Sequence, residues 1–281
     1  MRWNWLRSAM VLVVSVSVGT TAWADLSIYE VQHNTTDGDA SVYNGQIQSV
    51  LGGIVTHTWH GFQDRIYLQD PNQADGWGAI VVKDSTPTRE LYSSVSVGDW
   101  VTLSEVYVEE YRGTTFLQYK TVTDGGGNVL NPNLGFEVTS VGNPVPASVV
   151  LTAAELVVPV DHAASEPWES VIVTLEDVVI GQKDLGKAAD NYQLLQGSDV
   201  AWGTDYLNLE AGGLYHPYIQ TGVHLESITG IVEQYTKLSD GWDYYQVMTR
   251  CTADIVVPEP GTLALVAVGL VVLRRSRRAT A

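Results

Sequence analysis

Two short clusters combine residue types that could do chemistry. His57 and His60 form an H-x-x-H with Asp64 close behind, and two imidazoles with a carboxylate can hold zinc. Asp70, Asn72 and Asp75, followed by Gly76, form an oxygen-rich stretch of the kind that takes Ca2+. Neither spacing is diagnostic. Histidines three apart converge on a helix, but this region reads as a loop near a second strand, so two loop histidines beside Trp59 are the expected outcome. The Asp70 stretch misses the EF-hand spacing and its terminal glutamate. Turn formation by Asp, Asn and Gly is the leading reading there, and no cofactor is expected unless that stretch binds Ca2+. Asp37 and Asp39 read as a flexible entry loop with the same minor alternative.

Other catalytic patterns are missing from the sequence. It has no G-x-S-x-G, no phosphate-cradling glycine loop and no H-E-x-x-H. Glu109-Glu110 and Glu176-Asp177 are adjacent pairs, and neighbours on a strand point to opposite faces, which disfavours a shared acid/base site. The expectation is therefore a protein that is not an enzyme. For ligand contact the candidates are Trp59, Trp77, Tyr107 and Tyr111, whose rings could stack on sugars or bases.

These residues sit between two unusual ends. Arg2 and Arg7 precede an apolar run from Ala9 to Val18, which closes on Ala22-Trp23-Ala24. That is the layout of a signal peptide, residues 1–24, cleaved by signal peptidase before Asp25. At the other end, Pro258-Glu259-Pro260 precedes a short apolar run from Thr262 to Leu273, then Arg274, Arg275, Arg277 and Arg278. Twelve helical residues rise about 18 Å, short for a bilayer core about 30 Å thick. The arginines should stay cytoplasmic, and the prolines keep the approach to the helix extended. A transient transmembrane helix, holding the exported chain until it is cut, suits this layout.

Residues 258–281 resemble a PEP-CTERM sorting signal. The resemblance implies an exported protein of a Gram-negative bacterium that makes exopolysaccharide. It also implies removal of the tail by an exosortase, a membrane-embedded cysteine transpeptidase, with Pro258, Glu259 and Pro260 as the residues it reads. The product would reside at the cell envelope or surface, or outside the cell.

Without the two ends the body keeps nine basic and 31 acidic residues, a formal net charge of −22. Nucleic-acid affinity comes largely from basic groups that displace counterions, so such a surface makes a nucleic-acid partner unfavourable. Arg65, Lys83, Arg112 and Lys120 are few beside the acids. Cys251 is the only cysteine, which excludes an intramolecular disulfide. A buried thiol is the leading expectation and an intermolecular bridge the alternative.

Internal similarity divides the body. Residues 97–111 match 221–235 and 45–56 match 169–180, both 124 apart. YLQD at 67–70 pairs with LLQG at 194–197, Trp77-Gly78 with Trp202-Gly203, and FLQY at 116–119 with YYQV at 244–247, at offsets of 127, 125 and 128. The Pro/Gly-rich 141–148 is the expected linker between domains at 25–140 and 149–257. Each copy reads as β, with Gly52-Gly53 at a bend and a short helix at Thr152 that has Glu155 in capping-box position. The fold class is all-β: two tandem OB-like small barrels between a signal peptide and a sorting helix.

GQIQSVLGGIVTH, IYLQDPNQADGWGAIVV and VSVGDWVTLSEVYVEEYRGTTFLQ resemble the OB-fold-type domain of secreted bacterial nucleases. The second copy, with its Arg250-x-x-x-Asp254-Ile255 ending, resembles the companion OB-like domain. In those nucleases a separate catalytic domain follows, and nothing of that size follows here. The resemblances imply a non-enzymatic surface or matrix component associated with exopolysaccharide. A single-stranded nucleic-acid-binding module or a nuclease accessory is the alternative.

Overall fold

The computed structural model describes residues 25–33, 38, 40–61, 63–185, 191–208 and 216–258. Ala22, Ala24, Asp37, Asp39, Glu259, Pro260, the 262–273 run and the four terminal arginines lie outside these residues. Among the described residues no helix is long and apolar enough to cross a membrane.

Five strands build the first barrel: β1 (Ile47–Trp59), β2 (Asp64–Gln69), β3 (Ala79–Asp84), β4 (Trp100–Tyr111) and β5 (Thr114–Tyr119). They close in the order β1-β2-β3-β5-β4-β1, with β3 and β5 parallel and every other pair antiparallel. β6 (Gly135–Ser140) adds to the edge of β4. Residues 141–148 then lead to β7 (Val149–Leu151), which runs parallel to β8 (Ile172–Leu185). In the second barrel β8, β9 (Asn191–Gln196), β10 (Asp199–Thr204), β12 (Trp242–Met248) and β11 (His224–Lys237) close in the matching order. A last strand, β13 (Ile255–Val256), pairs with β11. The protein thus contains two closed five-stranded OB-like barrels.

Alternation explains why the strands close as they do. In β2, Ile66 and Leu68 enter the core of the first barrel, and in β3 Ile80 and Val82 do the same. The intervening Tyr67 and Val81 point outward, yet they too are buried. They join Trp59 and Phe116 in a cluster with Ile172, Leu207, Ile231 and Met248 of the second barrel. β3 and β5 are covered on both faces, so every residue in them is buried. The long β1 bends sharply where its register with β4 shifts between Val50 and Gly53. Gly52 there has φ +71°, and a Cβ on it would fall 1.6 Å from the Val101 carbonyl oxygen.

Several local expectations change. His57 and Trp59 lie within β1, opposite Tyr67 and Arg65, instead of in a loop; the ladder continues because both residues find cross-strand partners. Trp77-Gly78 and Trp202-Gly203 are not equivalent, since the first pair precedes β3 while the second lies inside β10. The capped turn at Thr152 forms as a 3-10 helix over Ala153–Leu156. Its counterpart is α1 (Ile28–Gln32), capped by Ser27 and Glu30, which the sequence reading overlooked. Cys251 is half-buried instead of buried. The Arg250-x-x-x-Asp254 ending is a two-pronged ion pair, with Nη2 to Oδ1 at 2.7 Å and Nε to Oδ2 at 3.1 Å, fixing the chain just before β13.

Candidate functional site

Where the apolar contact between the barrels ends, their outer faces part into an open cleft of ≈ 600 Å³. Strand alternation supplies the first wall: Arg65 from β2, Lys83 from β3, Phe116 and Gln118 from β5, all at outward positions. β4 adds Glu109 and Tyr111. The facing wall carries Glu233 and Tyr235 from β11, with Tyr244 and Gln246 from β12. Arg112 stands at the mouth because β4 and β5 are joined by the two-residue turn Arg112-Gly113, with φ values of 60° and 85°. Both signs match the turn type that favours glycine. The tip is fastened to the second barrel by the Thr236 N–H, which donates to the Arg112 carbonyl at 2.7 Å.

The charged groups of the cleft divide into paired and unpaired. Arg65 Nη1 lies 2.6 Å from Glu233 Oε1, an ion pair across the two barrels, and Gln246 Nε2 donates to Glu233 Oε2 at 3.3 Å. Gln118 donates its amide to Glu109, and Ser85 donates to Gln118 Oε1 at 3.1 Å. Lys83 differs. Its residue is 5% exposed, and its Nζ rests 3.2 Å from the Phe116 ring centroid and 5.2 Å from that of Tyr111. Among the described residues none accepts a hydrogen bond from it. Burial, reinforced by the nearby Arg65 cation, lowers its pKa to about 8. Arg112 lies 5.4 Å from the Tyr111 centroid and 5.9 Å from that of Tyr235. Cations and rings therefore alternate along the cleft, within range of cation–π attraction.

A second polar cluster lies behind this wall. Glu110 points away from Glu109 and accepts from Thr115 Oγ1 at 2.7 Å. Burial raises its pKa to about 7. Glu169 is fully buried between the barrels, accepting from Gln32 Nε2 at 3.2 Å and from the Thr115 N–H at 3.1 Å. Its pKa is well above the usual carboxylate range, first from burial and then from the neighbouring Glu166 and Glu110 charges. Tyr245 donates its hydroxyl to Glu166.

The structure scatters most of the residues singled out by sequence. Only Tyr111 of the four aromatic candidates lines the cleft. Trp59 is packed in the barrel contact beside Tyr206 at 4.8 Å. Trp77 abuts His33, and Tyr107 lies under Lys120. His57 is half-buried within β1 with its pKa lowered to about 4, chiefly by desolvation. His60 Nδ1 instead meets Asp64 at 2.7 Å beside Arg89. Asp70 is occupied as a turn carboxylate, accepting from the Asn72 N–H at 2.9 Å and its side-chain amide at 3.0 Å. Asp75 is exposed. Among the described residues no group of three His, Cys, Asp or Glu side chains is placed to hold a metal ion. In the sequence Lys83 and Arg65 stood out only as two of the few basic residues of an acidic body.

Residues 256–278 match the PEP-CTERM protein-sorting motif. The chain carries a PEP-CTERM sorting signal. The motif implies export across the inner membrane to the envelope or surface, with an exosortase as the processing partner. Its sorting signal begins at Val256, still inside β13, which ties the start of the tail to the second barrel. Comparison with curated proteins finds no match. Among solved structures, the complex described as "Crystal structure of fission yeast Pot1 and ssDNA" is 12% identical and covers 72% of this chain and 78% of its own. The TM-score is 0.24, too low to transfer a ligand.

Proposed function

We propose that the processed protein is a non-enzymatic binding or matrix component of a Gram-negative exopolysaccharide-producing cell, and that the cleft between its barrels is the ligand site. The inter-barrel cleft carries this reading. It is concave, lined by tyrosines and side-chain amides, and assembled from two barrels locked together, as ligand sites commonly are at domain contacts. The positioning of Glu109 and Glu233 supports a binding role over a catalytic one, since each already accepts from a fixed side-chain partner. Exopolysaccharide purified from the producing cells should quench the protein's tryptophan and tyrosine fluorescence saturably and co-sediment with it, leaving the polymer length unchanged. Shortened polymer, with loss of that activity on a single carboxylate substitution, would instead assign an enzyme. Mass spectrometry of the cell-surface form should show both ends trimmed.

One observation favours a single-stranded nucleic acid as second reading: Arg65, Lys83 and Arg112 alternate with Phe116 and Tyr111. Against it stand the body's charge of −22 and the outer face of β2, β3 and β5, much of which is spent on the barrel contact. A gel shift with oligo(dT) at low salt, lost at high salt, would support it.

A further inference from the structure

The cleft contains a cation, Lys83, that finds no hydrogen-bond acceptor among the described residues, and its surroundings define what could supply one. Lys83 is almost wholly withdrawn from bulk water, with an aromatic ring beneath its ammonium. Its three N–H donors have no protein acceptor among the described residues, and the Nζ itself is not sealed off, so they are open to a group in the cleft. The adjacent cation, Arg65, is held by Glu233, and the neighbouring carboxylate, Glu109, is held by Gln118. The walls bear opposite demands. Lys83 needs an anionic acceptor, while Glu109 and Glu233 keep lone pairs that need donors. Tyr111, 54% exposed at the mouth, offers a ring face.

We propose that Lys83 anchors the carboxylate of a uronic-acid residue in an acidic polysaccharide, with the sugar's hydroxyls donating to Glu109 and Glu233 and its ring face lying on Tyr111. The proposal rests on the cleft being the ligand site. A sugar acid combines one carboxylate with several hydroxyl donors on one ring. Phosphodiester groups bring acceptors only, and they would meet Glu109 and Glu233 as like charges. A carboxylate on a buried ammonium is a charge-assisted contact that a neutral sugar cannot make. Lys83 loses its proton as pH rises through about 8 in the free protein, so affinity for the acid weakens above that pH.

The test uses the processed protein isolated from its producing cells and four probes: tetragalacturonate, its fully methyl-esterified form, monomeric galacturonate and oligo(dT). The acid tetramer should bind at least about tenfold more tightly than the ester, the equivalent of one charge-assisted hydrogen bond. Lys83→Gln and Lys83→Met should reduce the acid to the ester's affinity and leave the ester unchanged. A measurement on the unaltered protein guards against misfolded variants. An amine-reactive label at pH 8, read by peptide mass spectrometry, should modify Lys83, and the acid but not the ester should protect it. Monomer as tight as tetramer would support the anchor and assign a free sugar acid as ligand. Equal affinity for acid and ester, with no effect of Lys83→Gln, overturns the anchor and leaves the cleft reading standing. Absence of binding and protection by either saccharide overturns both. Tighter binding of oligo(dT) than of the acid overturns the proposal in favour of nucleic acid.

Discussion

Glu169 concentrates the cost of joining the barrels at one side chain. It accepts from Gln32 and from the Thr115 N–H, both of the first domain, while its second oxygen has no partner among the described residues and Glu110 and Glu166 lie near. With a folded pKa above the unfolded value of 4.5, the native state binds protons that the unfolded chain releases. Stability is therefore present at low pH and declines as pH rises from about 4.5 through the folded value. Glu110, with its pKa near 7, adds to the same decline. Glu169→Gln keeps an acceptor for both donors and removes the charge. Thermal denaturation from pH 5 to pH 8.5 should show the wild type losing stability with rising pH. The variant should be flatter and more stable at the alkaline end by roughly 1–3 kcal/mol. A variant less stable than wild type at pH 8.5 would refute this account.

At the scale of elements, the sharpest demand falls on the bend in β1. Gly52 combines a left-handed backbone with a Cβ position inside the Val101 carbonyl. Gly52→Ala should lower the denaturation midpoint by an amount equivalent to at least about 2 kcal/mol, more than left-handed strain alone imposes. Gly125→Ala, where a Cβ meets nothing within 4 Å, should be neutral within about 0.5 kcal/mol. Equal midpoints for the two variants would show that β1 has another way to bend. This bend was legible from sequence, because Gly52-Gly53 interrupts an apolar run. So was the Thr152 turn, because Glu155 stands where its cap needs it. The same cap at Ser27 and Glu30 was missed beside the expected cleavage site, where attention falls on export. The cleft was not legible. Arg65 and Lys83 occupy outward positions in β2 and β3, and their meeting with Glu233 and Tyr235 depends on how two barrels dock, which local spacing does not encode. His57 misled for a related reason: its partner Tyr67 comes from the next strand.

For the molecule as a whole, apolar packing and polar contacts make the barrels mutually dependent. Ile231 is fully buried against the first barrel's Trp59, Tyr67 and Phe116 cluster, and Arg65–Glu233 spans the same contact. Scanning calorimetry should show one cooperative transition at neutral pH. Ile231→Ala should lower its stability by about 2–5 kcal/mol without splitting it; two resolved peaks in the wild type would mean the barrels melt independently. The same rigidity extends to the sorting tail. Ile255 and Val256 are knitted to Ile228 and Ser227, immediately ahead of the Pro-Glu-Pro triplet. Only Val257 separates β13 from Pro258, the first residue of the triplet. An enzyme that reads the triplet works one residue from the edge formed by β11 and β13, so the shape of that edge is part of what the processing enzyme has to accommodate.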